Sequence, residues 1–165
     1  MFWKGWLFAT NNEETTSKGV TIDRNGNILK CLFCDIIAGK EPASIVYEND
    51  EFISFHTIKP YTSCHLLVSP KAHVKSLNQL HGEKDAMMIQ RMVGAGQQAL
   101  EKIKPGFSYK AKFCFHVPPF NSIDHLHLHA ISQPETMGVI GTIKYSEGLY
   151  CWNAEYAIEQ IRRAH

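Results

Sequence analysis

Three histidines, His125, His127 and His129, stand at every second position of the run "HLHLHAIS". In an extended chain successive side chains point to opposite faces, so the three imidazoles share one face and Leu126, Leu128 and Ala130 share the other. The leucine face accounts for burial in a core. The histidine face does not, because three imidazoles buried with only one another for partners cost far more than one satisfied core histidine. Residues two apart on a strand are separated by about 6.5–7 Å, which sets His125 and His129 roughly 13 Å apart, too far to share one ion. The three are expected to do different jobs.

Two other stretches divide those jobs. "CLFC" supplies a C-x-x-C pair, Cys31 and Cys34, and "SPKAH" places His73 just after a strand. With one histidine of the row, for which His125 at its end is the natural candidate, they make a Cys2His2 set, the donors of a structural zinc site. The plainer reading of the pair is two buried hydrophobes, so C-x-x-C alone carries little. A closed four-ligand site leaves no position open, so no cofactor is expected for catalysis. His127 and His129 remain, with His65 at the start of a neighbouring strand. A neutral imidazole attacks phosphorus when a hydrogen bond on its other nitrogen fixes the tautomer, and a nearby histidine tunes its proton. Ser122, just upstream, offers a hydroxyl and its loop's N–H groups to phosphate oxygens, although a lone loop serine is ordinarily a turn residue.

These groups need a scaffold, and 165 residues with 44% hydrophobic content suffice for one core rather than two. A net charge of +1, with no basic run interleaved with aromatics, argues against stable nucleic-acid binding and leaves room for a nucleotide-sized anion. Five cysteines, an odd number, suit a reducing compartment, cytoplasm or nucleus, better than a disulfide framework. The opening "MFWKGWLFAT" is too short for a usual signal core or a membrane span and breaks at once into "NNEETTSKG".

Residues 1–30 read as an N-terminal extension, with a small hairpin about Asn25-Gly26. Its Trp3, Trp6 and Phe8 would dock on the body or a partner, or simply pack locally. From Cys31 to residue 165 the pattern is that of a folded domain. "CLFCDIIAG" predicts a short helix closed by Gly39, and "SIVYEND" and "EFISFH" predict a hairpin about Asn49-Asp50. "HLLVSPK" is a strand ended by Pro70. Met88, Met92, Ala95, Ala99 and Ile103 recur at helical spacing, predicting one long helix from about Glu83 to Lys104. "YKAKFCFHV" and "HLHLHAIS" supply two further strands joined by "PPFNSID", and "NAEYAIEQIRRAH" a C-terminal helix capped by Asn153. Five strands without strict β-α-β alternation predict an α+β fold with an antiparallel sheet.

The His-x-His-x-His row, with "CLFCDIIAG", "SFHTIKP" and "CHLLVSPKAH", resembles the histidine triad superfamily from Cys31 to about Ser132. Within it, "FHVPPFNSIDHLHLH" looks most like the third branch of the histidine triad nucleotide-binding proteins, and "HLHLHAISQ" is also similar to aprataxin. The resemblance implies about five antiparallel strands with a long helix, a homodimer, and a site for a purine nucleotide such as AMP or GMP. It implies that His127 attacks the α-phosphorus of a nucleotide conjugate and forms a nucleotidyl-histidine that water hydrolyses. By the same resemblance His129 and His65 orient and stabilise that histidine, and Ser122 contacts the phosphate or leaving group. Cys31, Cys34, His73 and His125 match the zinc ligands of some members, and Phe33, Ile36, Phe55 and Ile58 would line the base pocket, with plain core packing the alternative.

The chain departs from the pattern in two places. Thr57 stands where many relatives carry an Asp that binds the ribose hydroxyls, which implies weaker or differently selective nucleoside affinity. His116 and "PPFN" stand where relatives have Asn and a Gly-rich loop. Pro118 and Pro119 remove two N–H donors, so phosphate contacts would fall to His116, Asn121 and Ser122. The leading expectation is a hydrolase of nucleoside phosphoramidates or acyl-adenylates. Its competitors are aprataxin-like removal of AMP from DNA ends, a non-catalytic nucleotide-binding scaffold, and a metal-dependent hydrolase.

Overall fold

The alternation of the strands decides which face of the sheet each side chain meets, and both faces are covered. The computed structural model describes residues 14–164; the aromatic start with Trp3, Trp6 and Phe8 lies outside the described residues. In chain order the elements are β1 (Thr15–Ser17), β2 (Val20–Ile22), β3 (Ile28–Cys31), α1 (Leu32–Ile37), β4 (Ile45–Glu48), β5 (Phe52–His56), β6 (His65–Pro70) and α2 (Gly82–Ile103). They continue with β7 (Lys112–His116), β8 (Leu128–Ile131), α3 (Val139–Lys144), β9 (Cys151–Asn153) and α4 (Ala154–Arg163). The main sheet is antiparallel in the order β4-β5-β6-β8-β7-β9, and β1-β2-β3 form a separate antiparallel meander. The fold is α+β with one long helix.

One face carries Phe52, Leu66, Val68, Phe115, Leu126, Leu128 and Ala130 into the core under α2 and α4, so the apolar half of "HLHLHAIS" does what alternation demands. The other face carries Ile53, Phe55 and Leu67 against Phe33 and Ile36 of α1 and Val20 of the meander. The turn after α1 requires Gly39, whose φ is +69°, a region that costs side-chain-bearing residues. Asn153 caps α4, its Oδ1 accepting the Tyr156 N–H at 2.8 Å.

Three details differ from the pattern reading. The main sheet has six strands rather than five, because β9 is three residues long and carries no alternation to find. The ladder of β8 begins only at Leu128. Pairing with β6 stops at Val68–Leu128 although β6 runs on to Pro70, which has no N–H to give, and the segment before Leu128 is held by isolated bonds, Leu126 N–H to Val74 O at 2.6 Å and Ser69 Oγ–H to Leu126 O at 3.1 Å. The buried stripe of α2 is Ala86, Ile89, Met92, Ala95, Gly96, Ala99 and Leu100. Met88 sits half-buried beside it, and Ile103, at the last turn, is 38% exposed.

At Gly96 the helix packs tightly against the sheet. A Cβ there would lie 3.1 Å from Phe113, 3.3 Å from Val68 and 3.4 Å from Ala130, whereas one at Gly94 would meet nothing within 4 Å. Gly96→Val is expected to lower stability by about 2 kcal/mol through overpacking. Gly94→Ala is expected to raise it by up to ~1 kcal/mol through helix propensity. Urea midpoints of the two variants would show the contrast.

Candidate functional site

The register of the sheet gathers the histidines. In the β6–β8 pair His65 stands opposite Ile131 and Leu67 opposite His129, and in the β7–β8 pair Cys114 stands opposite His129. His65 and His116 are therefore the diagonal neighbours of His129 on its own face, one on each side, within side-chain reach. His65 Nε2 lies 3.0 Å from His129 Nδ1, and His129 Nε2 lies 3.0 Å from His116 Nδ1. His116 Nε2 then meets the Lys144 carbonyl at 3.2 Å. All three imidazoles are buried. Burial pushes His65 and His116 down to about 4 and His129 well below its ordinary value, so the cluster is neutral at pH 7.

His127 is bound differently. Its Nδ1 lies 2.7 Å from the carbonyl oxygen of His125. A carbonyl only accepts, so Nδ1 carries the proton and Nε2 keeps its lone pair. Burial holds this imidazole below its ordinary value, against the opposing pull of the carbonyl. The ring stands edge-on to Phe33 at 5.3 Å, and Phe33 in turn is edge-on to Phe55 at 5.3 Å. These rings and Ile36 form the apolar end of a cleft of about 860 Å³, a size suited to a nucleotide-scale ligand. Thr57, Ser122, His116, His127, His129 and Lys144 supply its polar lining.

His125 turns away from this cleft toward the meander. Its Nδ1 is 3.4 Å from Cys31 Sγ and 3.6 Å from Cys34 Sγ, and Cys34 Sγ is 3.4 Å from His73 Nδ1. The four donor atoms all lie within 4.8 Å of one another. A tetrahedral ion with sulfur at about 2.3 Å and nitrogen at about 2.0–2.1 Å spaces those donors by about 3.6 Å, so the three measured edges fit one. His125 Nε2 donates to the Pro70 carbonyl at 2.9 Å, which strips the proton from the Nδ1 that faces the sulfurs. Burial, followed by the neighbouring Cys31 thiol, pushes Cys34 up to about 12, as expected where two sulfurs share a buried site without a cation.

The remaining expected residues divide. Ser122 is exposed at the cleft rim, and Ile58, although it lines the mouth, is 93% exposed. Asn121 spends its amide on its own loop: Nδ2 donates to Ile123 O at 3.1 Å and Asp124 Oδ1 at 2.9 Å, while Oδ1 accepts from Lys18 Nζ at 2.7 Å. Two residues at the site were not expected. Tyr145 is buried with its ring 5.3 Å from His65, 4.9 Å from His116 and 5.1 Å from His129. The ammonium of Lys144 lies 5.1 Å over the Tyr61 ring. Both come from the end of α3, where no spacing or motif marks them.

Residues 30–145 match the family described as "Scavenger mRNA decapping enzyme C-term binding". The chain is 36% identical over 154 residues to the adenosine 5'-monophosphoramidase HINT3 of Mus musculus, covering 90% of this chain and 88% of that protein. This protein belongs to the histidine triad superfamily. It is 38% identical over 105 residues to the bifunctional adenosine 5'-phosphosulfate phosphorylase/adenylylsulfatase HINT4 of Arabidopsis thaliana, covering 63% of this chain and 70% of that one. The crystal structure of a HIT family hydrolase from Legionella pneumophila Philadelphia 1 superposes with a TM-score of 0.56 at 26% identity, over 62% of this chain and 92% of its own. Among the described residues no helix of this histidine triad protein is long and apolar enough to cross a membrane.

The buried neutral histidines tie stability to pH. His65 and His116 titrate at about 4 in the folded protein, below the ordinary 6.5, so between those values the unfolded chain binds more protons. Their contribution is complete above about 6.5 and is lost as pH falls toward 4, at a cost on the order of 3 kcal/mol each. Urea midpoints measured from pH 7 to pH 4 should fall across that window, and less steeply in His116→Asn.

Proposed function

We propose that this protein hydrolyses adenosine 5'-phosphoramidates, and related purine nucleotide conjugates of AMP or GMP, through a nucleotidyl-histidine intermediate at His127. One observation carries the reading: a buried, neutral imidazole whose Nδ1 is locked by the His125 carbonyl at 2.7 Å, leaving the lone pair on Nε2, lines a nucleotide-sized cleft. The activities named for the two relatives share an adenosine 5'-phosphoryl group and differ in what leaves it. That common part is what His127 would attack.

In the first step His127 Nε2 forms a bond to the α-phosphorus and the phosphorus–nitrogen bond breaks, the amine leaving with the electron pair. It takes a proton relayed from solvent by the Ser122 hydroxyl at the cleft rim. Water then attacks the phosphorus, AMP departs, and His127 recovers its lone pair while the water's proton returns to solvent. His129 and His65 hold the face beside His127, and the Lys144 ammonium supplies positive charge near the phosphoryl oxygens. Phe33, Ile36 and Phe55 would sandwich the base, with Ile58 closing the mouth and the Thr57 hydroxyl facing the ribose. Cys31, Cys34, His73 and His125 would hold zinc, whose charge lets two thiolates stay ionised in a buried site.

Within this reading residues 31–165 form the histidine triad domain and residues 1–30 its N-terminal extension, and the protein works as a homodimer. His127→Ala should lower kcat on an adenosine phosphoramidate by at least about a thousandfold with the fold intact by circular dichroism. Cleavage at the parental rate would remove His127 as the nucleophile. A strong chelator should lower the melting temperature while leaving turnover largely unchanged at temperatures where the protein stays folded. Immediate loss of activity without loss of structure would instead mark a catalytic metal.

A further inference from the structure

Both ends of the imidazole chain beside the cleft are fixed by backbone groups that cannot reverse their roles. The Lys144 carbonyl can only accept, so the bond at 3.2 Å makes His116 Nε2 the donor and leaves His116 Nδ1 as an acceptor. A neutral imidazole has one N–H, so the next bond, 3.0 Å long, is donated by His129 Nε2 to His116 Nδ1. His129 Nδ1 must then accept from His65 Nε2 at 3.0 Å. His65 Nδ1 is left as an acceptor, and there the Tyr61 backbone N–H, a donor only, points at it from 3.4 Å. The two ends agree, and the chain has a single direction.

We infer that His116 is a positioning residue that sets the tautomer of His129, and through it that of His65, so that of these four imidazoles only His127 keeps an unengaged lone pair, on Nε2. Both nitrogens of His129 are spent on its histidine neighbours, so it is neither a second nucleophile nor a direct phosphate ligand in this arrangement. His116 likewise has no nitrogen left for phosphate. The chain also ends in backbone groups that exchange no proton with substrate, so it holds the rings and does not conduct. Tyr145 packs its ring edge-on against His65 and His129 and tilted against His116, within 4.9–5.3 Å, which keeps their planes from turning.

The inference leans on the phosphoramidase reading for its kinetic arm alone. The spectroscopic arm is long-range ¹H–¹⁵N NMR of the histidine side chains in the full chain at pH 7, with His129 expected to carry its proton on Nε2. His116→Asn sets an amide oxygen where Nδ1 stood and can accept from His129, though it is too short to keep the bond to the Lys144 carbonyl, so it should keep that tautomer and most of the parental kcat. His116→Leu offers His129 no acceptor, and should give a mixed His129 tautomer and a kcat lower by at least roughly tenfold, with KM changed by less than about twofold. A resting His129 protonated on Nδ1 overturns the inference, whether or not the leucine variant folds. A parental kcat in folded His116→Leu overturns it too, and so does a His116→Asn protein with KM raised about tenfold at unchanged kcat, which would make His116 a substrate contact. If the parent protein cleaves no phosphoramidate, the proposed function fails while the tautomer measurement still decides this point.

Discussion

The hydrogen bond from His127 Nδ1–H to the carbonyl of His125 is the constraint on which the rest of the site depends. It spans only two residues, so it needs the backbone at His125 to be held still while its side chain points elsewhere. That side chain is fixed on both nitrogens, Nδ1 toward the two sulfurs and Nε2 on the Pro70 carbonyl. The Cys31, Cys34, His73 and His125 cluster and the His127 imidazole are thus joined through one peptide group. The spacing of alternate histidines follows from this: one residue fewer would place both rings on opposite faces, and the carbonyl could not reach.

The other half of the site depends on register. His129 can be saturated from both sides only because β6 and β7 pair with β8 so that His65 and His116 are both diagonal to it. A one-residue slip of either neighbour would send its histidine to the α2 face and put an apolar side chain in its place. The apolar residues of these strands guard against that slip, since a shift of β6 would turn Leu66 and Val68 away from the core and a shift of β7 would turn Phe115 away from it. The core under α2 and the imidazole chain above it are specified by the same alternation.

Legibility in the sequence tracks how local each feature is. The faces of "HLHLHAIS", the cap at Asn153, the turn at Gly39 and the gathering of Cys31, Cys34, His73 with His125 follow from spacing and residue chemistry, and the fold class follows from the strands. What escaped depends on distant pairing. β9 has no pattern of its own and exists because β7 offers it an edge. Tyr145 and the Lys144 carbonyl meet the histidines from the end of α3, which no local pattern ties to β7 or β8. His116 was legible as a site residue through its resemblance position, but its partners were not, because a hydrogen-bond direction requires both ends of the chain.

The meander shows how an N-terminal extension is joined to the domain that follows it. A polar stretch before a change of pattern at Cys31 reads as that extension, and its described part is tied to the Ser122 loop at three points. Lys18 donates to the Pro119 carbonyl at 2.8 Å and to Asn121 Oδ1 at 2.7 Å, and its own carbonyl accepts the Asp124 N–H at 3.0 Å. Gly19 lies against Ile123, and its carbonyl accepts the Leu32 N–H at 3.2 Å, at the start of α1. The loop that carries Ser122 contains two prolines and so has few backbone donors to hold itself, and a buried loop amide must find partners somewhere. Here Asn121 and Lys18 supply them. The meander therefore completes a loop that the domain after Cys31 leaves under-bonded, and a cut at residue 30 or 31 would separate Cys31 from the strand that positions it.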